Sequence, residues 1–271
     1  MLRHFASIFS FAIFAVACIG IFPSPLFAAE QPEHMDHATL SYNDEVVKQL
    51  LEKSDPDVAF LARVKMMEGH LNAAIYAVGQ NDLAEARQHI IHPVSEIVPD
   101  IVRVLDLREL KDPSAELNVI LRLIDRGKSD EIETSLYDAL VEMTALEHSI
   151  DPKKLTNNKI VADTAILLLR TAVEEYAQAF KDGKIANIVE YHDGGAFVNE
   201  AATLILDNKY EWSTKTPEAF NQLELSLTEL DKAWPSEIPP PNAVMPLTKM
   251  LQLASVIGSQ IDIILTGHGT H

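Results

Sequence analysis

The stretch His89-Ile90-Ile91-His92-Pro93-Val94-Ser95-Glu96 concentrates potential metal ligands. On a continuous helix His89, His92 and Glu96 stand at i, i+3 and i+7 and share one face. Pro93 complicates this, because proline tends to end one helix at His92 and start another at its own position. A helix preceding this one runs into the turn Gly79-Gln80-Asn81-Asp82. With that turn centred near Gln80–Asn81, His70 stands opposite about Ile91 and Glu68 opposite about Pro93. Glu68, His70, His89, His92 and Glu96 then converge within about one helical turn. Imidazoles mixed with carboxylates suit iron, copper or zinc. A purely structural reading competes. Glu68 and His70 are two residues apart and cannot both point at one place, and a histidine before proline can serve as a helix-terminal polar group.

A second hairpin offers harder ligands. Glu174-Glu175-Tyr176 lies on the outgoing arm and Glu190-Tyr191-His192-Asp193 on the returning one. About a turn centred near Asp182–Gly183, Glu175 faces Glu190 and Val173 faces His192. Glu175, Glu190, Tyr191 and His192 together are a carboxylate, phenol and imidazole set suited to ferric iron. Gly194-Gly195 follows directly and can break a helix or admit a close backbone contact. The competing reading is a solvated acidic face with its tyrosines packed inward.

Both sets need helices to position them, and the punctuation is helical throughout. Asp55-Pro56, Asp112-Pro113 and Asp151-Pro152 each place a capping acid before proline at a helix start. Apolar residues recur at three and four along Val58, Leu61, Ala62 and Val64, and again along Ile160, Ile166, Leu167 and Val173. The expected helices lie near 43–54, 56–78, 82–91, 93–110, 113–126, 129–149, 158–181, 184–206, 217–233 and 243–265. Asp182-Gly183 reads as a helix–helix turn, and Pro235 with Pro239-Pro240-Pro241 as a stiff connector. The last helix is apolar enough to expect at the centre of the core. Residues 58–105 and about 160–207 share a long helix, a polar turn and a returning helix, at an offset of about 102. The expected fold class is therefore all-α, a helical bundle of antiparallel hairpins, with two pseudo-repeats possible. Its expected span is 41–266, with possible halves 41–150 and 151–266 and a short tail at 267–271.

The first residues bear on compartment. Arg3 and His4 precede an apolar run from Phe5 to Ile21, and Leu26-Phe27-Ala28-Ala29 follows Pro23 and Pro25. That order is a signal peptide over 1–29, with cleavage after Ala28 or Ala29, a polar tail over 30–40 and a periplasmic mature protein without a membrane span. A lipoprotein anchored at Cys18 is the alternative. Cys18 is the single cysteine, so cleavage at the later site leaves no thiolate metal site, disulfide or covalent haem. The formal net charge of −18 repels nucleic acid and anionic lipid and draws cations or basic partners. His34-Met35-Asp36-His37 and His268-Gly269-Thr270-His271 could scavenge copper, nickel or zinc at the two ends.

Residues 167–202 carry Glu175-Tyr176, then Asp182-Gly183-Lys184-Ile185, then Glu190-Tyr191 and Phe197. This segment resembles the periplasmic helical domain attached to bacterial high-affinity iron permeases. Residues 68–97 resemble the companion hairpin more weakly, through Glu68-Gly69-His70-Leu71 and His92-Pro93. The resemblance implies an iron-related role outside the cytoplasm, with an iron permease or another membrane transporter as partner. Those permeases carry membrane helices with an Arg-Glu-x-x-Glu motif. Here the nearest string, Arg108-Glu109-Leu110-Lys111-Asp112, lies at a polar helix end, so the chain is not itself the permease. The Gly-x-His-x-x-Glu signature of imelysin-like iron proteins is also missing. Three functions follow: a metal-binding accessory for iron uptake or delivery, a helical protein-interaction module without metal, or a small metal-dependent oxidase. No acid–base pair, nucleophile elbow or phosphate loop is pinned by spacing, which places the enzyme last.

Overall fold

The computed structural model describes residues 44–127 and 129–267. The expected signal peptide, its cleavage site, Cys18, the whole polar tail and the terminal histidines lie outside these residues. The described chain is all-helical apart from one two-stranded ribbon. No described helix is long and apolar enough to cross a membrane.

Capping acids set several boundaries. α1 covers Asp44–Lys53 and α2 covers Pro56–Gly79. The Asp55 carboxylate accepts from the Asp57 amide at 2.8 Å, with Pro56 occupying the first helical position. α2 then turns through Asn81, at φ 61°, into α3 (Leu83–His92), whose start Asp82 caps by accepting from Glu85 N at 2.9 Å. α4 (Val98–Leu107), α5 (Ser114–Asp125) and α6 (Ser129–Glu147) complete the first half, and the short α7 (Pro152–Leu155) leads out of it.

Pro93 was expected to break the chain between two helices. Instead α3 runs through a five-residue π segment, Pro93–Ile97, directly into α4. Proline has no N–H to give the preceding turn, and its ring crowds the carbonyl there. Widening the helix resolves both, and the Val98 amide closes the segment by donating to Pro93 O.

The second half begins with α8 (Asn158–Ala179) and α9 (Ile188–Asp207). Between them Asp182-Gly183 is not a plain helix–helix turn. It closes a ribbon of β1 (Phe180–Lys181) and β2 (Lys184–Ile185), with φ of 52° and 71° at the two turn residues. Positive φ at both central positions is what a two-residue hairpin requires, and Asp-Gly supplies it. α10 (Lys209–Lys215), α11 (Pro217–Asp231) and α12 (Leu247–Thr266) follow. The proline-rich connector before α12 is pinned to the ribbon, with Ala243 N donating to Gly183 O at 2.8 Å.

Two circuits of packed helices result. α2, α3, α5 and α6 pack in a ring, and so do α8, α9, α11 and α12. The rings meet where α2 lies against α8 and α9 and α3 touches α9. α2 is buried on nearly every side, through residues such as Phe60, Leu61, Val64, Met67 and Leu71, which explains its weak amphipathicity. α12 was expected at the centre, but it buries one stripe, Met250, Leu253, Ile257, Ile261 and Ile264, and leaves Val256 exposed. Apolar content alone did not separate a central helix from an outer one.

Close approach of α8 and α9 depends on Gly194. A methyl group there would lie 3.0 Å from the Ala172 carbonyl oxygen and 2.9 Å from the Trp234 ring. Backbone cannot step aside as a flexible side chain can, so Gly194→Ala is expected to lower the unfolding free energy by about 1–3 kcal/mol. Urea denaturation reads this directly, and an unchanged midpoint would show that the two helices have slack.

Candidate metal centre

Where the two rings meet, one carboxylate organises the polar interior. Asp193 on α9 has no solvent exposure. Its Oδ1 lies 2.8 Å from His70 Nδ1 on α2 and 2.8 Å from His89 Nδ1 on α3. Its Oδ2 lies 3.1 Å from His92 Nδ1, also on α3. A buried carboxylate without partners is prohibitively costly, so these imidazoles are obligatory company for it. An ionised carboxylate only accepts, so each facing Nδ1 carries the proton in this arrangement.

Titration behaviour follows from the same contacts. Burial pushes the Asp193 carboxyl up, but the charges and hydrogen bonds of His70 and His89 outweigh it and hold it well below the usual range. Burial opposes charge on His89, yet Asp193 and then Glu85 raise it to about 9. The hydrogen bond to Asp193 raises His92, with Glu190 and Glu96 adding to it.

A second layer surrounds this core. Glu85, one turn before His89, lies 3.4 Å from His89 Nε2 and hydrogen-bonds His192 Nδ1. Burial pushes Glu85 up, but bonding from His192 and His89 brings it down to about 2. His192 Nε2 donates to the Glu237 carbonyl at 2.6 Å, so the connector covers this side. On the other side Glu190 shares a potential ligand cluster with His92 and Asp193. Glu175 hydrogen-bonds Glu190, and burial followed by that contact raises it well above the ordinary range.

The structure therefore gathers His70, His89, His92, Glu175, Glu190 and His192 into one centre instead of one per hairpin. Three overlapping triads have donor atoms within 4.8 Å of one another: His70, His89 and Asp193; Glu85, His89 and His192; His92, Glu190 and Asp193. Asp193 and Glu85 belong to them and were not among the expected ligands. A readable signal existed for Asp193, which shares a four-residue stripe with buried Phe197, Ala201 and Ile205. A charged residue in an apolar stripe needs a partner.

Three expected ligands stand elsewhere. Glu68 faces the other way round α2, where its carboxylate pairs with Lys65 at 2.8 Å, and Lys65 also reaches Glu147 at 2.9 Å. Glu200 completes that cluster, pushed up to about 7 by burial and by the Glu68 charge. Tyr191 turns its hydroxyl away, donating to Ser236 O at 2.8 Å, and burial holds the phenol up at about 12. Glu96 is exposed on the π segment. The widened turn breaks the i, i+7 stripe with His89, although the Glu96 charge still reaches His92.

Residues 151–266 match the family model described as the iron permease-associated 4-helix bundle domain. The match spans α7 through α12 and so contains the ring of α8, α9, α11 and α12. It includes the 167–202 segment on which the sequence resemblance rested and extends well beyond it, while residues 68–97 fall outside. No curated protein and no solved structure matches the chain. Half of the centre, Glu175, Glu190, His192 and Asp193, lies within the matched domain, and His70, Glu85, His89 and His92 lie in the other ring.

Without metal, the ion pairs of the centre tie stability to pH. His89 is raised from 6.5 to about 9, so its contribution is full below pH 6.5 and is lost as pH rises through about 9. Asp193 is depressed from 3.8, so its contribution is full above about pH 4 and is lost in stronger acid. The stability gap between metal-free wild type and His89→Gln is therefore expected to shrink by roughly 3 kcal/mol between pH 6.5 and 9. Chemical denaturation across that range measures the gap, and a constant gap would contradict the assigned His89–Asp193 pairing.

Proposed function

We propose that the protein is a periplasmic metal-binding accessory protein in iron uptake or delivery, holding its cargo ion where α2, α3 and α9 meet. The observation that carries this reading is the buried Asp193 facing histidines of the opposite ring. Two imidazoles and a carboxylate are a common donor set for iron, zinc and copper. In an octahedral shell with metal–ligand bonds of about 2.1 Å, neighbouring donors on one ion lie about 3.0 Å apart. The 2.8 Å contacts of His70 and His89 with Asp193 Oδ1 are thus close to the edges of a coordination polyhedron. A divalent ion can take the place of the Nδ1 protons with little movement of the rings.

The outer contacts fit the same role. Glu85 beside His89 Nε2 is the carboxylate partner that orients a ligating imidazole and strengthens it as a donor. A net charge of −18 favours capture of cations. The iron permease-associated domain over 151–266 supports iron as cargo and a permease or related transporter as the recipient. The leader-like first 29 residues support a periplasmic site of action.

Anaerobic titration of metal-free protein with ferrous iron tests the reading. Binding at a hundredfold excess over the dissociation constant is expected to raise the melting temperature by about 5–10 °C. Asp193→Asn, and the pair His89→Ala with His92→Ala, are expected to weaken binding by at least about 100-fold. A melting temperature indifferent to iron, zinc and copper alike would favour an interaction module without metal.

A further inference from the structure

We propose that the centre holds two metal ions bridged by the Asp193 carboxylate. This rests on the metal-binding reading above and deepens it.

The two oxygens of Asp193 serve different donor sets. Oδ1 meets His70 and His89, each at 2.8 Å, whereas Oδ2 meets His92 at 3.1 Å. A carboxylate divided in this way presents one lone-pair direction to each of two ions. His92, which reaches Oδ2, forms a second set with Glu190 and Asp193, with donor atoms within 4.8 Å of one another, and the two sets share only Asp193. Glu175 adds a further carboxylate through its hydrogen bond to Glu190. Two glutamates held together in a recess repel unless a proton or a cation lies between them. In the metal-free chain a proton lies between them, and a second ion on Oδ2 can take its place.

Charge is compatible with a count of two. Once Glu175 gives up the proton it shares with Glu190, Asp193, Glu175 and Glu190 bring three negative charges against neutral imidazoles, more than one divalent ion balances. The third triad does not add a third ion. It shares His89 only through Nε2, on the ring edge opposite the Nδ1 that faces Asp193. With Nδ1 on a metal, Nε2 keeps its proton and donates to Glu85, which then positions the ring. A carboxylate bridge sets two ions about 3.5–4 Å apart.

The test uses full-length protein with His34, His37, His268 and His271 replaced by alanine, so that the chain ends cannot bind. Metal-free samples receive Cu(II) alone, and native mass spectrometry counts ions while electron paramagnetic resonance reports coupling. Two equivalents per chain and a half-field transition from coupled spins are expected. Glu175→Gln combined with Glu190→Gln is expected to hold one equivalent and lose the half-field signal. One equivalent in the otherwise unaltered centre, with an isolated-ion spectrum, would overturn the bridged pair while leaving a single-ion site intact. Two equivalents persisting in the glutamine double variant would also overturn it, by removing the assigned second position. Failure to bind any ion would bring down the metal-binding reading itself. The coupling measurement needs neither glutamine substitution, so it decides the matter even if that variant fails to fold.

Discussion

A carboxylate with no access to water must be neutralised where it stands, and Asp193 imposes that demand on its surroundings. The partners come from α2 and α3, while Asp193 belongs to α9. The polar network is therefore also a clamp between the two helix rings. Removing any one partner leaves charge uncompensated in a low-dielectric interior, where the penalty is largest. The α8–α9 approach at Gly194 and the deep burial of α2 keep that interior dry.

The two rings share a contact circuit, yet the centre is not repeated. At the offset of about 102 seen in the sequence, His70 corresponds to Ala172 and His92 to Gly194. Small residues in the second half let the helices close up, while the same places in the first half supply imidazoles. The site at the seam of the two rings is asymmetric. Each ring contributes what the other lacks: nitrogen donors largely from the first, oxygen donors largely from the second.

Helix positions were readable in the sequence because capping acids, prolines and apolar spacing all act locally. So was the facing of Glu175 with Glu190, which follows from the turn at Asp182-Gly183. The merging of the two hairpins was not readable, since periodicity within a helix says nothing about which helix crosses it. That is why Asp193 and Glu85 were missed, although Asp193 lies in an apolar stripe and Glu85 precedes His89 by one turn. Pro93 was misjudged for a related reason. A proline's effect depends on whether the helix can widen around it, and here a π segment carries α3 into α4. Tyr191 resembled a ligand by type alone, but its hydroxyl finds a backbone carbonyl in a connector far along the chain.

On the metal-binding proposal, the Nδ1 protons of His70, His89 and His92 occupy places a metal can take. Long-range 15N–1H correlation spectra of the imidazole rings, with and without Zn(II), address it atom by atom. Proton-bearing Nδ1 atoms are expected in the metal-free protein, and metal-like nitrogen shifts at His70, His89 and His92 once Zn(II) is added. Spectra in which those nitrogens keep their protons through saturation would contradict it, and Asp193 would then be only the clamp between the rings.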